Sequence, residues 1–147
     1  MQRVAWFIMI LCLAAPVAGA AQEHTGAFAA LEARAIGPAG MSGRVSDVEV
    51  VLSDPRVVYV GSATGGVFKS VDGGLTWAAI FDDQPALSIG SVAVFQPNPD
   101  IVWVGTGEGN PRNSAGVGRG LFKSVDGGRT WMAMGFEASE RIHRVIT

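Results

Sequence analysis

Residues 68–77 read FKSVDGGLTW and residues 122–131 read FKSVDGGRTW, so ten positions recur with one change, Leu75 against Arg129. The two copies stand 54 residues apart. Upstream the match continues at a shorter offset of 44, where DPRVVYVGSATG (54–65) aligns with NPDIVWVGTGEG (98–109). Pro55 falls on Pro99, Tyr59 on Trp103 and Gly61 on Gly105. The second unit therefore carries ten extra residues between Gly105 and Gly120. Val45 and Val48 lead the first unit and Ile89 and Val92 lead the second. Ile142 and Val145 repeat that lead once more, 53 residues on. A repeat of this length has to be settled before any local reading, because it decides the architecture.

Each unit reads as four short strands. VSDVEVV (45–51), VVYVGSA (57–63), VFKS (67–70) and TWAAI (76–80) make the first; SVAVF, IVWVGT, LFKS and TWMAM make the second. Between them stand turn-forming groups, SDP, TGG and VDGG, whose Gly, Pro and Asp each favour reversal for a different physical reason. Four antiparallel strands in about 45–55 residues is the pattern of a propeller blade. The expected fold class is all-β: blade 1 at about 43–81, blade 2 at about 88–135 and the start of a third at about 141–147.

The repeated decapeptide spans the third strand, a tight turn and the start of the fourth strand. Asp72 is placed to fold its carboxylate onto the turn's own N–H groups, and Gly73 and Gly74 take positive φ without penalty. Ser70 and Thr76 tie the hairpin ends, and Trp77 returns into the sheet as an anchor between blades. Ser124, Asp126, Gly127, Gly128, Thr130 and Trp131 take the same roles in the second copy.

SVDGGLTW and SVDGGRTW resemble the Asp-box, S-x-D-x-G-x-T-W, of the bacterial neuraminidase repeat, and both fit it at every fixed position. The longer string GPAGMSGRVSDVEVVLSDPRVVYVGSATGGVFKSVDGGLTW resembles the first blade of bacterial sortilin-like propellers, a group loosely labelled glycosyl hydrolases. The resemblance covers roughly residues 36–147. It implies a protein or peptide ligand held by the propeller. Related xyloglucan-cleaving propellers imply a carbohydrate-active hydrolase instead, and other Asp-box propellers a structural assembly factor. A propeller closes with about four to eight blades, so the remaining blades are expected as partners in a longer chain.

MQRVAWFIMILCLAAPVAGAAQ (1–22) has a short basic start at Arg3, an apolar run from Val4 to Ala15 and then the small residues Ala18, Gly19 and Ala20. That is the layout of a secretory signal peptide at 1–20, cleaved after Ala20, with a linker at 21–35. The run falls short of the roughly 20 residues a spanning helix needs, so no stable membrane span is expected after cleavage. The expected location is secreted or periplasmic. Cys12, the single cysteine, lies within the leader, so no disulfide or cysteine metal site is expected in the mature chain. The formal charge is −2, which argues against a nucleic-acid partner. His24 and His143 stand without ligand partners at metal spacing, so no metal and no cofactor is expected.

Loops of an up-and-down blade alternate between its two ends. The SVDGG turns join strands three and four; the insertion GEGNPRNSAGVGRG (107–120) joins strands two and three. The two features therefore belong to opposite faces. Asp72 and Asp126 read as structural turn residues, not as acid–base groups. Long loops on rigid scaffolds are where binding residues concentrate. The insertion offers Glu108, Asn110, Arg112, Asn113, Ser114 and Arg119, groups suited to sugar hydroxyls, a carboxylate or a peptide terminus. The same residues also fit a surface loop packed on its neighbour, with Glu108 paired to an arginine. Arg44 either points into the central channel or ends as a solvated strand-end charge. GTGEGN and GVGRG lack the lysine and following helix of a phosphate loop.

No catalytic residue is assigned, and a glycoside hydrolase is the expectation only if the full-length protein is an enzyme. Such chemistry takes two carboxylates about 5–9.5 Å apart. Where the xyloglucan-cleaving relatives carry an acid, in a G-x-V-D-like pattern, this chain reads GRVS (43–46) and Ser46 stands instead. Asp47 is one residue later and by strand alternation faces the other way. A sialidase needs an arginine triad and a tyrosine nucleophile; the single tyrosine, Tyr59, sits in an apolar strand.

Overall fold

The structure, a computed structural model, describes residues 44–110 and 113–147. The leader and linker, with Cys12 and His24, and Arg112 of the insertion lie outside the described residues. The described residues build two four-stranded antiparallel sheets. The first holds β1 (Val45–Val50), β2 (Val58–Ser62), β3 (Gly66–Ser70) and β4 (Ala78–Ala79), in that spatial order. The second holds β5 (Ile89–Val94), β6 (Val102–Thr106), β7 (Leu121–Ser124) and β8 (Met132–Ala133). Each strand pairs with its sequence neighbour, so each sheet is a simple meander.

The registers of the two sheets superpose. Val50 pairs with Val58 as Val94 pairs with Val102, and Val58 pairs with Ser70 as Val102 pairs with Ser124. Both inner strands carry a bulge at the same place, between Val45 and Asp47 and between Ile89 and Ser91. A bulge sets two residues against one and breaks the period of two. This bears on the alternation expected for Ser46 and Asp47. Ser46 Oγ stays within its own sheet and donates to the Gly61 carbonyl at 3.0 Å. The Asp47 carboxylate reaches the second sheet, accepting from Ser91 Oγ and from the Val92 N–H, each at 2.9 Å.

The core lies between the sheets. Val67, Phe81, Ile89, Val92, Val102, Val104 and Phe122 are all buried, with Tyr59 beside them. Phe81 meets the Phe122 ring edge-on at 5.3 Å and the Trp131 ring at 5.0 Å. All six residues of β5 are buried, whereas every residue of β1 is exposed or half-buried. The cause is position in the stack. β5 is covered on one face by the first sheet and on the other by residues 142–147. Gly61 and Gly105 make that closeness possible. A Cβ on Gly61 would stand 2.8 Å from Ile89 Cγ2, and one on Gly105 would stand 2.7 Å from Ile142 Cγ2.

Residues 141–147 form no strand ladder of their own. They lie along the second sheet as a strap. Ile142 N–H donates to the Thr106 carbonyl at 2.9 Å, and Val145 N–H to Ser91 Oγ at 3.1 Å. The second bond is the repeat equivalent of Val92 N–H on Asp47, so the strap sits on β5 as β5 sits on β1. The outer strands β4 and β8 are two residues each, shorter than the five-residue TWAAI and TWMAM stretches.

Candidate functional site

The antiparallel meander puts the two SVDGG turns at one end of the sheets and the β2–β3 and β6–β7 connections at the other. At the first end both turns are closed by the same bonds. Ser70 Oγ accepts from Gly74 N–H at 2.8 Å and donates to Asp72 Oδ1 at 2.8 Å. Asp72 takes Thr76 N–H on Oδ1 at 2.9 Å and Thr76 Oγ1–H on Oδ2 at 2.6 Å. Ser124, Asp126, Gly128 and Thr130 reproduce the set. The Thr76 hydroxyl, then the backbone and Ser70 bonds, hold the Asp72 carboxyl down to about 2. Thr130, its N–H and Ser124 hold Asp126 well below the carboxylate range. A carboxylate so saturated with donors stays ionised and has little basicity left for proton transfer.

The tryptophans differ. Trp131 Nε1–H donates across to the Ile80 carbonyl of the first sheet at 2.7 Å, while Trp77 Nε1–H donates to Gly74 of its own turn at 3.0 Å. Among the described residues only Trp131 has a sheet in front of it. Lys69 Nζ and Tyr59 OH both donate to the Gly127 carbonyl, at 2.8 and 3.2 Å. Burial pushes the Tyr59 phenol up to about 12, with Asp100 adding to it, and burial lowers Lys69. Lys123 stands over the Trp103 ring, 4.9 Å from its centroid, as Lys69 stands over Tyr59 at 5.1 Å.

The opposite rim is where the insertion lies. Gly107 takes φ 91°, a left-handed turn that suits glycine. Glu108, the next residue, is 0% exposed. Its Oε1 accepts from Arg44 Nε at 2.9 Å and forms an ion pair with Arg44 Nη2. The two residues are 64 positions apart and join the entry of β1 to the insertion. Glu108 Oε2 is buried without a hydrogen-bond partner. Ser88 Oγ fixes the stem of the loop, accepting from Glu108 N–H and donating to the Gly116 carbonyl, both at 3.0 Å. Thr106 Oγ1 fixes the return, accepting from Arg119 N–H at 2.7 Å and donating to the Gly120 carbonyl at 2.6 Å. Asn110, Asn113 and the Arg119 side chain are exposed on this loop.

Of the residues expected to bind a ligand, the structure thus brings Arg44 and Glu108 together. Ser88 and Thr106 were not legible as loop anchors, because a buried serine or threonine in or beside an apolar strand gives no signal until its partner is known. A groove of about 700 Å³ runs along the inner strands, bordered by Ser46, Asp47, Glu49, Ser91, Gln96 and His143. Partial burial, then the neighbouring Asp47 charge, raises Glu49 above its usual range. Asp47 is fully engaged, since Oδ1 takes the Val48 N–H at 2.9 Å while Oδ2 holds β5. Among the described residues no group of three or more His, Cys, Asp or Glu is placed to hold a metal.

No family model matches the chain, and no curated protein matches it significantly. Among solved structures, an ancestral GH74 enzyme matches with a TM-score of 0.55 at 23% identity, over 66% of this chain and 13% of that one. The described residues are two blades of a β-propeller. The GH74 enzyme of Niastella koreensis matches with a TM-score of 0.47 at 20% identity, over 61% of this chain and 13% of that one. YCF48 from Cyanidioschyzon merolae matches with a TM-score of 0.43 at 22% identity, over 64% of this chain and 27% of that one. The chain thus spans between about one eighth and just over one quarter of these propeller proteins.

Proposed function

We propose that the two blades belong to an exported, sortilin-like Asp-box propeller that binds a protein or peptide ligand, and that the ligand contacts the rim bearing Arg44 and the 107–120 insertion. The observation that carries this reading is the buried Glu108 held by Arg44 at the foot of that loop. A carboxylate fully withdrawn from water costs several kcal/mol unless paired. Here it orders the loop base, so Asn110, Asn113 and Arg119 project from a fixed stem rather than a free one. Arg and Asn supply planar donors and acceptors that match a peptide backbone or a terminal carboxylate. The SVDGG turns take no part, because their Ser, Asp and Thr side chains are consumed within the hairpins and the Gly127 carbonyl is taken by Lys69 and Tyr59.

Binding of the purified chain to immobilised peptide and oligosaccharide arrays tests this. Peptides are expected to bind, and Arg119→Ala or Asn113→Ala to weaken binding about tenfold, the loss of one good charged or bidentate hydrogen bond. Binding unchanged by every rim substitution overturns the proposal. Binding confined to oligosaccharides replaces the peptide ligand with a glycan. The likeness to GH74 enzymes and the raised Glu49 favour a second reading, part of a carbohydrate-active hydrolase. Xyloglucan or sialoside turnover by the full-length protein, abolished by Glu49→Gln, would establish it.

A further inference from the structure

A groove of about 680 Å³ opens between the two four-stranded sheets, a size within the roughly 300–1,000 Å³ of ligand sites. Its floor is Phe122, Trp131 and Ala133. Phe122 and Ala133 are cross-strand partners, so they share one face of the second sheet, the face turned toward Phe81 of the first unit. One lip is Gln84 and Pro85, on the link that follows β4; the other is Arg119, at the return of the insertion, and Glu137, beyond β8. The meander brings all three of these segments to the insertion rim.

The walls are braced. Trp131 spends its one N–H on the Ile80 carbonyl and meets Phe81 edge-on, so it offers the groove ring surface and no donor. Arg119 N–H is tied to Thr106 Oγ1 at 2.7 Å, and Gly66 N–H holds the Leu87 carbonyl at 2.8 Å. The chain reaches Glu137 through Gly135 at φ 96° and Phe136 at φ 64°. A bulky residue in the left-handed region is an outlier, and such strain gathers at ligand sites. Leu121 N–H on the Gly135 carbonyl and Ser139 N–H on the Phe136 carbonyl fix that turn, at 3.0 and 2.8 Å. The polar groups of the lips are unspent. Among the described residues the Gln84 amide, the Arg119 guanidinium and the Glu137 carboxylate enter no ion pair and no side-chain hydrogen bond.

We infer that this groove binds a proline-rich peptide segment in the polyproline conformation, with a Lys or Arg beside the prolines. The inference rests on the peptide reading of the rim and adds where the peptide lies and of what kind it is. The floor is a sheet face and not a strand edge, so an incoming β-strand finds no ladder to join. A polyproline segment has no internal hydrogen bonds and needs no ladder. Its proline carbonyls accept and its proline nitrogens donate nothing. Arg119 is donor-only and the Gln84 amide donates twice, so both match those carbonyls. Pyrrolidine rings on Trp131, Phe122 and Pro85 bury apolar surface, and a preformed helix loses little freedom on binding. Glu137 is acceptor-only, which suits a basic side chain next to the prolines and not an acidic one.

Fluorescence titration of the purified chain tests this with three probes: oligoproline ending in Lys, oligoproline ending in Gln, and a Gly/Ser peptide of equal length ending in Lys. The oligoprolines are expected to bind and to shift tryptophan emission. The shift should survive Trp77→Phe and vanish in Trp131→Phe, which keeps a ring in place. Glu137→Gln is expected to weaken the Lys-ended oligoproline about fivefold and leave the Gln-ended one unchanged, and Gln84→Ala to weaken both about fivefold. Circular dichroism confirms that each variant keeps its sheets; Gln84 and Glu137 lie outside the core and decide the matter if Trp131→Phe does not fold. Equal affinity for the Gly/Ser probe overturns the proposal, as does oligoproline binding that Gln84→Ala and Glu137→Gln both leave intact. Peptide binding that responds to Asn113→Ala but to neither groove variant keeps the rim reading and overturns this one; no peptide binding at all overturns both. A cello-oligosaccharide that shifts Trp131 emission where oligoproline does not makes the groove a glycan site and likewise overturns the proposal.

Discussion

Two hairpins that differ in one of ten residues should contribute unequally to stability, and the size of the inequality follows from what stands in front of each tryptophan. Trp131 packs edge-on against Phe81 at 5.0 Å and donates to the Ile80 carbonyl at 2.7 Å. Truncating a buried Trp costs about 3–5 kcal/mol, so the half-buried Trp131 ring loses roughly 2 kcal/mol. Its inter-sheet hydrogen bond adds about 1 kcal/mol. Trp131→Ala is therefore expected to cost about 3 kcal/mol. Among the described residues Trp77 packs on no preceding sheet, and its N–H closes its own turn, so Trp77→Ala should cost about 1 kcal/mol. The difference of about 2 kcal/mol is close to 1 M in the urea midpoint for a slope near 2 kcal/mol/M. Trp131→Phe separates the parts: it keeps a ring and loses the bond, so it should cost about 1 kcal/mol. Pairing Trp131→Ala with Phe81→Ala should show a coupling of about 0.5–1.5 kcal/mol. Equal midpoint shifts for Trp77→Ala and Trp131→Ala would refute the argument that the indole works across the sheets.

Gly61→Ala places a methyl 2.8 Å from Ile89 Cγ2 and should destabilise by about 1–3 kcal/mol through overpacking, read as a lower melting temperature. Ser124→Ala removes a fully buried hydroxyl that satisfies Gly128 N–H, and a cost of about 1–3 kcal/mol is expected in urea unfolding. Glu108→Ala frees Arg44, which already reaches solvent at 38% exposure. The cost should therefore fall below the roughly 3–5 kcal/mol of breaking a fully buried pair, and faster proteolysis within 107–120 is the sensitive readout. Acid should loosen both turns. Asp72 and Asp126 have folded values depressed below the ordinary 3.8, so their stabilisation is complete above that value. It fades as pH falls through it toward about 2, where Asp72 protonates. Melting temperature measured from pH 5 to pH 2 should fall, and Asp126→Asn should flatten that fall.

The architecture was legible because the chain states it twice. Two copies of a ten-residue turn and two apolar strand sets at fixed offsets leave one economical arrangement, and the strands fall within a residue or two of where turn chemistry puts them. The bulges at Val45/Asp47 and Ile89/Ser91 were not legible. A bulge shows only as a lost period of two, and six-residue strands are too short to reveal it. The shortness of β4 and β8 was not legible, since TWAAI and TWMAM read as five-residue strands and only two residues of each pair. At the rim, Glu108 and Arg44 each stood out as charges among glycines. Their mutual contact did not, since 64 residues separate them and only the closed stack brings the start of β1 to the insertion. Ser88, Thr106 and Ser91 were invisible for the same reason: a hydroxyl's value depends on the backbone group opposite it.

The Gly127 carbonyl, capped by Lys69 and Tyr59 from the preceding sheet, has a consequence for how such a molecule can grow. Lys123 and Trp103 already hold the same pose toward whatever follows. Every unit carries both halves of the junction, so duplication of one whole unit in the gene would splice in without redesigning either border. Lengthening would be gradual at the loop rim, residue by residue, and quantised in whole blades along the circumference.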